Sequence, residues 1–94
     1  MKTIYKYPVN INRCGGLEKI SIPRSADIIS FDRDCYGEYC IWAIVDKEEI
    51  EKREIVVAAI GTGWDLSFFD NFEKVEFIKT IQEPPFIWHI FIAE

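Results

Sequence analysis

The stretch YCIWAIVD, Tyr39–Asp46, is the strongest β-strand signal in the chain. Aromatic and β-branched residues dominate it, and these residue types favour extended backbone. Both faces of such a strand would be apolar, because every position before Asp46 is apolar. A strand that is apolar on both faces is typical of the centre of a packed sheet. The stretch therefore predicts a central strand.

On either side of this stretch, short runs alternate between apolar and polar residues and are separated by turn residues, the pattern of half-buried strands. No run predicts a helix of ten or more residues. This pattern predicts an all-β fold, a small antiparallel sandwich or barrel of about 6–7 strands. We expect a single β domain over residues 1–94, with further strands at Thr3–Ile11, Leu17–Ile22, Ala26–Asp34, Ile55–Ile60, Lys74–Gln82 and Phe86–Ala93.

Several details of these strands can be predicted. Pro8 lacks an N–H for a β-ladder, so its strand should lie at a sheet edge or break there. The charged run Lys47–Glu54 should be an exposed connection, and Cys14–Gly16 should be a turn. Alternation places Val75, Phe77 and Ile81 on one face. The predicted core includes Trp42, Ile44, Ile55, Val57, Phe77 and Trp88.

Composition limits the class of protein. Hydrophobic residues make up 49% of the 94 residues and aromatic residues 15%, which argues against disorder. No apolar run approaches the roughly 20 residues of a membrane span, and the first residues lack the apolar stretch of a signal peptide. We expect a cytoplasmic protein that does not bind membranes.

The net charge of −5 is unevenly distributed. Residues 47–94 contain ten acidic and five basic side chains, so this half carries the whole excess. No basic patch with interleaved aromatic residues is present, which argues against direct binding of nucleic acid. The acidic half suits either solubility or a partner with a basic surface.

Few residues suit catalysis or metal binding. The three cysteines, Cys14, Cys35 and Cys40, form no CxxC pair, and an odd number argues against a disulfide scaffold. His89 is the only histidine and has apolar neighbours, which is typical of a hydrogen-bonded structural residue. No serine or cysteine lies in a recognisable nucleophile motif. We therefore expect no enzyme activity, no cofactor and no metal.

The stretch IGTGWDLSFFD, Ile60–Asp70, contains the one glycine-rich loop that could bind a phosphate. Neither the P-loop nor the dinucleotide fingerprint fits, because both need further residues and a following helix. Gly61 and Gly63 are better explained by backbone angles that other residues cannot adopt. The aromatic residues after them are numerous for an exposed loop. They predict a binding surface formed by Trp64, Asp65, Phe68, Phe69 and Asp70.

Five segments together resemble a family of short proteins encoded by bacteriophages and prophages, which lacks an assigned activity. They occur in the family's order and span nearly the whole chain: KTIYKYPVNI, SIPRSADIISF, IWAIVD, GTG and PPFIWHIFIAE. The family often has a histidine where this chain has Trp64, so a two-histidine site with His89 does not carry over. The resemblance implies a phage-type accessory protein and implies no reaction.

Three functions follow as expectations. The first is an inhibitor that covers a basic surface of a host protein, such as a defence nuclease. The second is an oligomeric sponge that sequesters a small signalling nucleotide, with backbone amides holding phosphates and Trp64 stacking on a base. The third is a structural protein without a ligand. Association of identical copies is compatible with each of them.

Overall fold

The structure is a computed structural model that describes residues 1–11 and 16–94. In this part of the chain seven strands and one short 3-10 helix are present. The helix, Ser67–Asn71, lies between the fifth and sixth strands. The strands are β1 (Lys2–Pro8), β2 (Gly16–Pro23), β3 (Asp27–Arg33), β4 (Tyr39–Asp46), β5 (Lys52–Gly61), β6 (Val75–Glu83) and β7 (Phe86–Ala93).

The strands form two antiparallel sheets, in the orders β1-β4-β3 and β2-β5-β7-β6. This confirms the predicted all-β fold, a sandwich of three and four strands. The stretch YCIWAIVD is the central strand of the smaller sheet, as predicted. β1 is an edge strand, which agrees with the position of Pro8 at its end.

The main core lies between the two sheets and draws on both of them. Ile41, Ala43 and Val45 of β4 face Ile55 and other buried residues of the larger sheet. These side chains are almost completely buried, and burying each large one stabilises the fold by about 1.5–3 kcal/mol. Of the predicted core residues, Ile55, Val57 and Trp88 lie here.

Trp42 and Ile44 were predicted in this core but lie outside it. Ile41, Ala43 and Val45 point inward, so the alternating positions of β4 point to the outer face of the smaller sheet. Trp42 and Ile44 are only half-buried there. The prediction failed because alternation separates the two faces of a strand without saying which one meets the second sheet.

Phe77 is also outside the core, and 54% of its surface is exposed. The register between β6 and β7 shifts between Phe77 and Lys79. Such a bulge adds one residue to a strand and reverses the faces beyond it. Val75 and Phe77 therefore lie on the outer face of the larger sheet, whereas Ile81 is buried in the core, which corrects the predicted common face.

The connection from β5 to β6 crosses the outer face of the larger sheet. Both strands pair with β7 in antiparallel fashion, so they run in the same direction with β7 between them. Residues 62–74 must therefore pass over β7, and we call them the crossover. The backbone N–H groups of Glu73 and Lys74 donate to the carbonyl oxygen of Glu94 at 3.0 and 3.1 Å, which fixes the end of the crossover.

The remaining differences concern the ends of elements. β1 ends at Pro8 rather than Ile11, although Val9 still donates its N–H to the carbonyl oxygen of Tyr39 at 2.9 Å. The connection before β5 is shorter than Lys47–Glu54, because β5 begins at Lys52. The predicted turn Cys14–Gly16 falls mainly outside the described residues. No helix in the described ranges is long and apolar enough to span a bilayer.

Candidate functional site

The crossover begins with a tight turn that depends on two glycines. Gly61 ends β5, and the N–H of Trp64 donates to its carbonyl oxygen at 3.1 Å. Gly63 has a φ of +88°, a left-handed conformation that favours glycine. This agrees with the predicted backbone role of Gly63, but the same prediction was wrong for Gly61, which has no positive φ.

Gly61 is needed for a different reason, namely the position of the Trp64 side chain. A Cβ atom at residue 61 would lie 2.6 Å from Nε1 of the Trp64 indole and 2.7 Å from its Cε2. These distances are far below van der Waals contact, so the indole can lie here only because residue 61 has no side chain. Gly61 therefore leaves the space that the Trp64 indole occupies.

Aromatic rings hold Trp64 at the end of the sandwich. Its ring packs edge-on against Trp88, with 5.5 Å between centroids, and Phe86 stacks on the other ring at 5.4 Å. Trp88 is buried, whereas Trp64 keeps 47% of its surface exposed. A pocket of about 370 Å³ opens beside these rings, lined by Gly61, Thr62, Trp64, Pro85, Phe86, Ile87 and Trp88.

Asp65 organises the turn that follows Trp64. Its carboxylate accepts hydrogen bonds from the backbone N–H of Ser67 at 3.0 Å and from the Ser67 hydroxyl at 2.8 Å. These bonds favour the ionised form and lower the pKa of Asp65 below its usual value. Asp65 is thus a charged, exposed residue whose carboxylate is hydrogen-bonded to Ser67, the first residue of the short helix.

Phe69 attaches the crossover to the larger sheet. It is buried with Val56, Ala58, Ile60 and Ala93, and its ring lies 5.1 Å from that of Phe91. Phe69 is therefore an anchor rather than part of an open binding surface. Among the other predicted binding residues, Phe68 is half-buried and Asp70 is exposed.

The crossover and the start of β6 carry an excess of negative charge. Asp65, Asp70, Glu73 and Glu76 are acidic, and Lys74 is the one basic residue between Gly61 and Glu76. None of these four carboxylates forms an ion pair within residues 1–11 and 16–94. Their negative charge is therefore not neutralised by these residues and can attract a positively charged partner.

His89 joins the crossover to the larger sheet through two threonines. Its Nε2 lies 2.7 Å from the hydroxyl of Thr62, and its Nδ1 lies 3.0 Å from the hydroxyl of Thr80. A hydroxyl can both donate and accept, so each ring nitrogen of His89 has a hydrogen-bond partner. This confirms that His89 is hydrogen-bonded, whereas its structural role stays a prediction.

The two described cysteines are both unpaired, Cys35 exposed and Cys40 buried. Burial raises the pKa of the Cys40 thiol, which keeps the thiol protonated. Cys14 lies outside the described residues. In the described part of the chain no group of three or more histidine, cysteine or acidic residues is arranged to hold a metal ion.

Sequence reasoning missed a larger groove at the same end of the sandwich, with a volume of about 810 Å³. Arg33 and Glu83 form an ion pair across it, and each also hydrogen-bonds the Tyr39 hydroxyl, at 2.7 Å in both cases. Arg33 and Tyr39 belong to the smaller sheet and Glu83 to the larger one, so this network connects the two sheets. Their wide separation in sequence left no local signal.

The position of Trp64 can be tested at Gly61. We expect Gly61→Ala to expel the indole and to shift tryptophan emission to longer wavelength, an effect absent in a Trp64→Phe background. Gly63→Ala is the matched control, because nothing lies within 4 Å of its new Cβ. It should cost roughly 1 kcal/mol of stability through backbone strain and leave Trp64 in place. Unchanged emission in Gly61→Ala would contradict the described contact.

Comparison with the curated proteins and with the solved structures finds no match. Residues 1–94 match the family model described as "Domain of unknown function" (DUF7352). This agrees with the resemblance to a family without an assigned activity. Because the match covers the whole chain, the protein belongs to the DUF7352 family.

Proposed function

We propose that this protein acts by binding rather than by catalysis, as an inhibitor that covers a basic surface of another protein. The contact region is the Trp64 surface, which we define as Trp64, Asp65, Phe68, Asp70 and Ile87. The observation that supports it best is the half-exposed indole of Trp64, held against Gly61 and Trp88. Beside it lie carboxylates that form no ion pair with any residue the structure describes.

Physical reasons favour such a surface for protein recognition. Tryptophan is enriched among the residues that contribute most to protein–protein binding. The indole is already held in one position, so little conformational entropy would be lost on binding. The surrounding acidic side chains would attract a basic partner and raise the association rate at low salt.

The resemblance to phage-encoded proteins suggests the class of partner. A phage-type accessory protein would act in the cytoplasm of a bacterial host and encounter host defence proteins there. A defence nuclease must carry a basic surface to hold nucleic acid. The acidic Trp64 surface would compete with nucleic acid for that surface.

The proposal can be tested by capture from host lysate with the immobilised full-length chain, followed by mass spectrometry and a measured Kd. We expect Trp64→Ala to weaken association by more than about 1 kcal/mol, roughly fivefold in Kd, because it removes the central contact. Asp65→Asn/Asp70→Asn should weaken it most at low salt. Excess double-stranded DNA should release the captured protein.

Two variants serve as controls. Tyr36→Ala removes an exposed aromatic side chain from the β3–β4 turn, and Glu48→Gln/Glu49→Gln removes two carboxylates from another loop. Both should bind like the wild type. Equal binding by wild type and Trp64→Ala would contradict the proposed surface, and insensitivity to DNA would contradict the basic-surface partner.

The nucleotide sponge remains an alternative that the pocket beside Trp64 supports, since its volume suits a small ligand. The described lining of that pocket contains no lysine or arginine, which disfavours phosphate groups. Native mass spectrometry separates the alternatives: a nucleotide bound to the protein would support the sponge. Retention of neither a protein nor a small molecule would support a purely structural role.

A further inference from the structure

The outer face of the three-stranded sheet carries a second apolar surface, distant in sequence from the Trp64 surface. The register places Ile4, Ile44 and Trp42 on this face, and Ile29 is the extra residue where the register of β3 shifts beside Trp42. Ile4 and Ile29 are 56% and 49% exposed. We call these four residues the outer patch.

The two sheets differ in how their outer faces are covered. The crossover covers the larger sheet, where Phe68, Phe69 and Phe72 pack on a buried cluster. Neither buried cluster of the described residues includes any member of the outer patch. Four large apolar side chains on one sheet face are therefore left open to solvent or to a partner.

Charges flank the outer patch in an ordered way. Lys2 and Lys6 lie on the β1 side, whereas Asp27 and Asp32 lie on the β3 side. Lys6 forms an ion pair with Asp34, and Asp32 forms an ion pair with Lys79. Both lysine side chains are partly exposed. Lys2 and Asp27 form no ion pair within the described residues.

We propose that the outer patch binds a second copy of this chain, forming a twofold-symmetric dimer with the three-stranded sheets face to face. A twofold axis parallel to the strands places β1 of one copy over β3 of the other, so basic and acidic edges meet. An axis across the strands would place lysine on lysine and aspartate on aspartate. The charge pattern therefore selects both the partner and one orientation.

The expected dimer is weak. Three strands spaced at about 4.8 Å and about seven residues long give each copy a flat contact face of roughly 14 by 24 Å. Counting both copies, the contact buries about 700 Å², below the size of stable interfaces, so we expect a weak dimer with a dissociation constant in the micromolar range. Lys2 of one copy is offset from Asp27 of the other by one two-residue step, about 7 Å along the strands, and by the roughly 10 Å between packed sheets. An extended lysine and an aspartate that point toward each other can bridge this separation.

The test is sedimentation equilibrium of the full chain, in the absence of any partner, over concentrations up to about 100 μM. We expect the wild type to reach twice the monomer mass reversibly. Ile4→Glu should weaken the dimer at least tenfold, because it buries a negative charge within the contact, opposite Asp27 of the other copy. Ile50→Glu is the control, since Ile50 is 88% exposed in the loop before β5, and it should dimerise like the wild type.

Charge reversal tests the orientation without removing apolar surface. Asp27→Lys should weaken the dimer, and Lys2→Asp/Asp27→Lys should restore most of it. A wild type that stays monomeric throughout, or an Ile4→Glu variant that keeps its fold and dimerises like the wild type, would overturn the proposal. Failure of Lys2→Asp/Asp27→Lys to restore dimerisation would overturn the orientation. Trp64→Ala should leave the dimer intact, which separates this proposal from the proposed function.

Discussion

Replacing Trp88 by alanine should lower the free energy of unfolding by about 3–5 kcal/mol, the range for large-to-small changes in a core. Trp88 is 3% exposed, lies in the main cluster between the sheets, and supports the rings of Trp64 and Phe86. A cavity at this place cannot collapse easily, because residues of both sheets surround it. Urea unfolding followed by circular dichroism measures the loss.

Trp42→Ala is the matched control for this prediction. The same side chain is removed, but from the outer face of the three-stranded sheet, where Trp42 is only half-buried. Its cost in dilute solution should be about 1–2 kcal/mol, since less apolar surface is exposed to water on unfolding. Equal losses for the two variants would contradict the assignment of Trp42 to the outer face.

Much of the fold could be predicted because strands leave local signals. The limits of β4 and β7 agree with YCIWAIVD and with Phe86–Ala93 at both ends. Pro8 predicted the edge position of β1, since a residue without an N–H cannot pair on both sides. Each of these inferences uses only residues within one element.

The errors concern relations between elements. A bulge such as the one between Phe77 and Lys79 reverses which side chains of a strand point to the core. No residue type at this position predicts the bulge. The inner face of β4 depends on the position of the second sheet, so Trp42 and Ile44 could not be placed from alternation alone. The crossover follows from strand order, which a run of strands does not determine.

The candidate site was predicted in its first half only. The glycines and aromatic residues of one continuous stretch identified Trp64 and Asp65. Phe86 and Ile87 complete the pocket but lie more than twenty residues later in the chain, on β7. They approach Trp64 because Trp88 pairs with Gly61 in the sheet, a register that the sequence does not reveal.

The last prediction concerns Phe69, which sequence reasoning assigned to the binding surface, whereas the structure buries its side chain between the crossover and the larger sheet. Phe69→Ala should cost about 3 kcal/mol of stability, near the lower limit for a core phenylalanine, because its cluster is small and three of the rings around it are only partly buried. Phe77→Ala is the matched control: it lies on the same sheet face, with its ring 5.4 Å from that of Phe91, but is 54% exposed. It should cost about 1 kcal/mol.

Hydrogen exchange distinguishes loss of the anchor from general destabilisation. Three backbone N–H groups of the crossover, those of Trp64, Phe72 and Glu73, donate hydrogen bonds to backbone carbonyl oxygens. In Phe69→Ala these amides should exchange faster than the amides of β4. Partner binding should weaken as well, although Phe69 is buried, because Trp64 depends on the crossover for its position. If Phe69→Ala lost stability no more than Phe77→Ala and kept these amides protected, the crossover would be held by other contacts. The aromatic residues after the glycines would then have to be explained by binding alone.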